Sequence, residues 1–183
     1  KDIRFFDEVK FGQTSRSEKG VKIDLRDIFP NETTDFTPWL AKNNLIPDIA
    51  KTLNIFDNPI SLFKTEATIG EYRIDMIYKE KEGEGGLIVE NQYENSDSKH
   101  LGQVLIYSQL TNISNILWIC ESVKIEHRRV SDMLKTTSII PIAIEFHQID
   151  EGYIMNVHAY KKDTPSIISY KLDKDLKVEY RKI

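Results

Sequence analysis

The run from Gly86 to Gln109, GLIVENQYENSDSKHLGQVLIYSQ, decides how the chain is read. Leu87, Ile88 and Val89 have the apolar, β-branched character of a buried strand. That strand runs on without a break into Glu90, Asn91 and Gln92, so a carboxylate and two amides leave the core on the same element. The segment SDSKHLGQVLIYSQLT then predicts a helix, with Ser98 or Asp97 as its cap and Leu101, Val104, Leu105 and Ser108 at core-facing spacing. Gln103 and Tyr107 stack on one face of that helix beside His100.

Just upstream, ISLFKTEATIGEYRIDMIYKEKEGEGGLIVENQY alternates and is rich in β-branched and aromatic residues. It predicts two or three strands, with EKEGEGG as a hairpin loop. Strand side chains alternate faces, so Glu90 and Gln92 project with Ile88. On the preceding strand Arg73, Asp75 and Ile77 share one face, and Ile74 and Met76 the other. Centring the hairpin between Glu82 and Gly83 places Asp75 opposite Glu90, with Cβ atoms about 5 Å apart.

Two ionised carboxylates at that range repel, and without a counter-charge one must take up a proton. A divalent cation resolves the conflict, because Mg²⁺ prefers a few carboxylate oxygens with phosphate and water completing its shell. Glu66, on the segment before the pair, is the candidate third acid. A metal held this way lowers the pKa of a water and stabilises charge on a phosphoryl oxygen, which points to phosphodiester hydrolysis. Each piece also has an ordinary meaning. Facing acids commonly meet solvent or a cation such as Arg73, and a polar helix stripe is commonly plain surface. Only the conjunction carries weight.

Elsewhere, IRFFDEVKF and GVKIDLRDIF read as strands or an extended arm over residues 1–34, packed on a domain spanning 35–183. DFTPWLAKNNLIPDIAKTLNIF predicts a helix capped by Thr37, with Pro38 at its first position and Pro47 breaking or kinking it. NILWICES predicts a buried strand, EHRRVSDMLKT a helix, IIPIAIEFHQI and GYIMNVHAY two strands, and PSIISYKLDKDLKVEYRKI a final strand pair. The order describes an α/β domain with a central mixed sheet flanked by helices.

With 183 residues, 40% hydrophobic and 30% charged, the chain suits one globular domain. No apolar run approaches the roughly 18 residues that span a bilayer, so no membrane partner is expected. The single cysteine, Cys120, excludes a disulfide framework and makes the cytoplasm the expected compartment. The net charge of -4 does not advertise nucleic-acid binding, though local clusters decide that. Lys99, Lys124, Arg128 and Arg129 are the candidate phosphate contacts. The chain opens on Lys1, read here as a piece of a longer protein whose flanking domains are missing.

Taken together, Glu66, Asp75 and Glu90-Asn91-Gln92 resemble the active-site pattern of the PD-(D/E)XK, or restriction-endonuclease-like, nuclease superfamily. DFTPWLAKN, YRIDMIYK, IVENQ and DSKHLGQVLIY resemble a poorly characterised prokaryotic subgroup of it, over roughly Val21 to Phe146. Gln103 and Tyr107 resemble the Gln-x-x-x-Tyr motif of its RecB-like exonuclease branch. The resemblance implies a restriction-endonuclease-like core and a Mg²⁺- or Mn²⁺-dependent nuclease acting on DNA, with RNA as the other candidate polymer and restriction or defence as its setting. It implies metal on Asp75 and Glu90 with Glu66 as auxiliary ligand, Gln92 orienting the attacking water, and His100, Gln103 and Tyr107 contacting substrate. Such folds commonly dimerise to cut two strands, so a homodimer is among the expected partners.

Two departures accompany the resemblance. Gln92 stands where most of the superfamily has lysine, and a neutral amide can orient water without supplying charge. Ser98 replaces the first histidine of the subgroup's Asp-His-x-His. A catalytically inactive module that binds nucleic acid or a protein on the same fold is the competing expectation.

Overall fold

Strand β4 (Gly86–Asn95) is buried along eight consecutive residues, which only a strand covered on both faces can be. The computed structural model describes residues 20–182, and it places β4 inside one mixed nine-stranded sheet. In spatial order the sheet runs β2 (Ile60–Ile69), β3 (Tyr72–Glu80), β4, β5 (Asn115–Ser122), β6 (Ser138–Ile149), β7 (Gly152–Ala159), β8 (Ser166–Leu172) and β9 (Val178–Lys182). β4, β5 and β6 are mutually parallel and the other neighbours antiparallel; β1 (Val21–Ile23) pairs antiparallel with the far end of β6.

The two parallel connections pass through helices α4 (Ser98–Thr111) and α5 (Ile125–Met133). Both advance across the sheet in the same direction, so both helices cover the same face. Leu101, Val104 and Tyr107 of α4 pack there on Ile88, Ile116 and Trp118. The opposite face is covered by α1 (Leu25–Ile28), α2 (Thr37–Lys42) and α3 (Leu45–Thr52); Phe29 at the C-cap of α1, Leu40 of α2 and Ile46 of α3 join Leu87, Val89 and Leu117 in the larger core. This is an α/β fold with a large mixed sheet flanked by helices. Among the described residues no helix is long and apolar enough to cross a membrane. Cys120 is a buried free thiol.

Several expectations are corrected. IRFFDEVKF lies outside the described residues. GVKIDLRDIF is strand only through Ile23, because Asp24 accepts the Arg26 N–H at 2.8 Å and starts a short helix. The expected single helix at Asp35–Phe56 is three pieces: a π-helical turn (Glu32–Phe36), α2 and α3. Asn31 caps the first, accepting from the N–H groups of Thr33 and Thr34, while Thr37 is itself helical. The break falls at Asn44, whose φ of 54° is left-handed. Pro47 sits in the first turn of α3, where its missing N–H has no helical acceptor to lose. On α4, Leu105 is only half-buried, and Tyr107 takes a core position instead.

The β3–β4 pairs Met76 with Val89 and Ile77 with Ile88 are in the register set by a loop centred between Glu82 and Gly83. The expected face assignment along β3 is not kept. Ile74 and Ile77 pack in the α4-side core, and Met76 packs in the opposite one. Strict alternation would put Ile74 with Met76, so the strand turns its faces over at Asp75. Opposite, on β2, Glu66 has φ of 50°, between the Thr65–Met76 and Ala67–Ile74 pairs. A left-handed non-glycine residue inside a strand is strained, and it lies across from the point where β3 turns its faces.

Candidate active site

Four carboxylates from four separate elements act on one another at the point where β3 turns: Glu32 from the π-helical turn, Glu66 from β2, Asp75 from β3 and Glu90 from β4. Asp75 and Glu90 are held close together. The N–H of Asn91, next to Glu90 in β4, donates to Asp75 Oδ2 at 2.7 Å, and the charge of Asp75 acts on Glu90. Glu32 Oε2 accepts the Tyr93 N–H at 2.9 Å, which stitches the π-helical turn onto β4. Glu66 pairs with the Arg73 side chain across the β2–β3 ribbon.

Burial and mutual repulsion set the protonation of this group. Burial first, then the charges of Glu32 and Glu66, push Asp75 up to about 7, against the opposing Asn91 hydrogen bond. Glu90 is driven further, up to about 9, by burial and then by the charges of Asp75 and Glu32. Glu32 is also raised, mainly by burial. Glu90 is 6% exposed, and its Oε2 has no hydrogen-bond donor. Glu66 Oε1 and Gln103 Oε1 are likewise buried acceptors without donors.

The α4 stripe closes over these acids. Tyr107 O–H donates to the Arg73 carbonyl at 2.9 Å and accepts from Gln103 Nε2 at 3.3 Å. Because the hydroxyl proton is committed to Arg73, the Gln103 nitrogen must face Tyr107, and its oxygen is the free end. The charges of Glu90 and Asp75 act on Tyr107. His100 stands one turn earlier and its charge acts on Glu32.

Gln92 is brought to the same strand but is fully engaged. Its Nε2 donates to the Asn95 carbonyl at 2.9 Å and to Asp97 Oδ2 at 2.7 Å. Its Oε1 accepts from Trp118 Nε1 at 3.2 Å and faces the Cys120 thiol at 3.9 Å. Asn91, between them, donates from Nδ2 to Thr37 Oγ1 at 2.7 Å on the other face. Among the candidate phosphate contacts, Lys99, Lys124 and Arg129 are exposed, while the Arg128 guanidinium lies over the Tyr160 ring at 4.1 Å. None has a contact with the acids among the described residues.

Two participants were not found in the sequence as site residues. Glu32 arrives from a turn that tertiary packing folds over β4, and an acid near a helix start is otherwise ordinary. Asp97 was read only as a cap. It does cap α4, accepting the His100 N–H at 2.8 Å, but its second oxygen also takes His100 Nδ1 at 2.8 Å. Burial opposes its charge, and these two bonds together with Gln92 overcome that and hold Asp97 below the usual carboxylate range.

Hard oxygen donors with free lone pairs, repelling one another in a buried place, fit a small divalent cation by chemistry. Among the described residues, no three acids, histidines or cysteines are already gathered closely enough to hold one. The fit is therefore one of charge and donor type. Set beside known proteins, the chain matches no family model, no curated protein and no solved structure.

Proposed function

We propose that this protein is a divalent-metal-dependent nuclease that hydrolyses phosphodiester bonds in DNA, on a restriction-endonuclease-like core of the PD-(D/E)XK kind. The observation that carries the reading is the buried Glu90 Oε2, left without a donor among three other carboxylates. A structural role gives no reason to keep such a group, since an acid that burial and its neighbours force to hold a proton, with a buried oxygen lacking a partner, costs stability.

Asp75 and Glu90 would hold Mg²⁺ or Mn²⁺, with Glu66 as the auxiliary acid. When bound, the cation supplies charge neutralisation of the phosphate and a more acidic water. The chain's own residues do the rest. The Asn91 N–H fixes the Asp75 carboxylate beside Glu90, and Tyr107 anchors the Arg73 carbonyl two residues before Asp75. Gln103 Oε1 offers a free acceptor to a water or to a sugar hydroxyl. Gln92, with its amide committed on all sides, supports the site by orienting Asp97 and Trp118 instead of orienting a water itself.

A second reading, a catalytically silent module that binds nucleic acid or a protein, draws on that same commitment of Gln92. Cleavage of labelled single- and double-stranded DNA with Mg²⁺, Mn²⁺ or EDTA, by wild type and Glu90→Ala, decides between the two. Metal-dependent cutting that disappears in the variant supports the nuclease. A folded wild type that leaves every substrate intact favours the binding module.

A further inference from the structure

Asp97 and His100 form a pair more specific than a helix cap requires. A cap needs one oxygen on one backbone N–H. Asp97 gives Oδ1 to that bond and commits Oδ2 to the imidazole Nδ1 and to Gln92 Nε2, at 2.8 and 2.7 Å. Gln92 is in turn fixed by Trp118, so a chain of hydrogen bonds runs from the sheet core to the imidazole. With Nδ1 bonded to a carboxylate it carries the proton, and ring orientation and tautomer are both set. Nε2 is left without a protein partner among the described residues, and the His100 side chain is 27% exposed.

The position is the right one for chemistry. His100 begins the α4 stripe that continues through Gln103 and Tyr107 over the acids, and its charge reaches Glu32. Carboxylates that hold a cation have given up their protons, so the departing oxygen needs a proton donor from outside the acidic group.

We propose that His100 is the proton donor to the leaving sugar oxygen, with Asp97 and Gln92 as its positioning residues, an inference that rests on the nuclease reading. The water oxygen forms the new bond to phosphorus and the bond from phosphorus to the sugar oxygen breaks. That oxygen takes the Nε2 proton; the imidazole is reprotonated from solvent, and the proton of the attacking water passes to solvent. Asp97, which caps the same helix, is the charged group in contact with His100 among the described residues, and Glu32 from the π-helical turn lies within range of its charge.

The test uses two substrates with the full chain and Mn²⁺: a labelled DNA duplex and bis(4-nitrophenyl) phosphate, whose nitrophenolate departs as an anion and needs no proton. His100→Ala should lose about 10²-fold on DNA and change little on the nitrophenyl ester. Asp97→Ser keeps the helix cap but cannot hold the imidazole, and should lose in the same direction by a smaller factor. Thermal melts check folding, and His100→Gln replaces the alanine variant if that one is unstable. Equal losses on both substrates would overturn the proton-donor role while leaving the nuclease standing. DNA cleavage by Asp97→Ser at the wild-type rate would overturn the positioning role. A wild type inactive on both substrates would remove the nuclease reading and this inference with it.

Discussion

Asp75 Oδ2 accepts the N–H of Asn91 at 2.7 Å, so the backbone of β4 grips Asp75 beside Glu90, the acid whose charge it repels. The backbone thus holds two acids together that electrostatics would separate, and stability must vary with pH as a result. Both have folded-state values raised above their unfolded ones, to about 7 and about 9. An acid raised on folding contributes stability that is fully present below its unfolded value and is lost as pH rises through its folded value.

We therefore expect the metal-free protein to be most stable near pH 5. It should weaken by on the order of a few kcal/mol towards pH 9. Below about pH 4 the sign reverses, because Asp97 and Glu145 are held below their ordinary values and lose their favourable bonds on protonation. Urea unfolding in EDTA at pH 5, 7 and 9 measures this, and Glu90→Gln should flatten the alkaline side. A wild type equally stable at pH 5 and 9 would contradict the assigned burial of these acids.

Divalent metal should reverse the alkaline loss. A cation that binds only the folded state stabilises by about 2.7 kcal/mol at one hundred times its Kd. We expect Mn²⁺ or Mg²⁺ to raise the melting temperature of wild type at pH 8, and to leave Asp75→Asn and Glu90→Gln unmoved. Differential scanning fluorimetry with a metal titration reads the effect. A shift of equal size in all three proteins would place the metal elsewhere.

Part of the frame of this site was legible in the sequence because strand pairing is a local problem. A glycine-rich loop between two alternating runs set the β3–β4 register, whose paired residues run from Lys79–Gly86 to Met76–Val89 and end one position short of Asp75 and Glu90. What alternation could not convey is the turn of faces at Asp75, since it depends on a left-handed Glu66 in a neighbouring strand. Glu32 was invisible for a related reason: it reaches the site only after a π-helical turn, and no periodicity announces one. The split of the N-terminal helix was misplaced because Pro47 is the louder signal. Asparagine at 44 is the quieter one, and it tolerates the left-handed backbone that interrupts the run. Asn44→Ala should consequently cost about 1 kcal/mol, and Asn44→Gly close to nothing, as chemical denaturation can show.

Gln92 should behave as a structural residue even in assays blind to catalysis. Removing its amide leaves Trp118 Nε1 without an acceptor in the core and takes one donor from Asp97. Gln92→Ala is expected to cost about 2–4 kcal/mol, as lost packing adds to an unsatisfied buried donor. Indole fluorescence reports the change at Trp118 directly. If the variant is as stable as wild type, the amide is free enough to serve the chemistry, and its positioning role fails.

Glu66 separates function from stability most cleanly. Its left-handed backbone disfavours any residue with a Cβ by about 1–2 kcal/mol, and its bond to Arg73 joins it to a solvent-exposed guanidinium, where water and salt screen the attraction. Glu66→Gly should therefore be more stable than Glu66→Ala by about 1 kcal/mol and close to wild type. Both variants lose the same carboxylate, so both should bind Mn²⁺ more weakly than wild type by a similar factor, measured by calorimetry. A stable glycine variant with weakened metal binding means that the strain is kept for the sake of the site. Unchanged binding in both would leave Asp75 and Glu90 as the whole metal-holding set and make Glu66 a bend in the edge strand and nothing more.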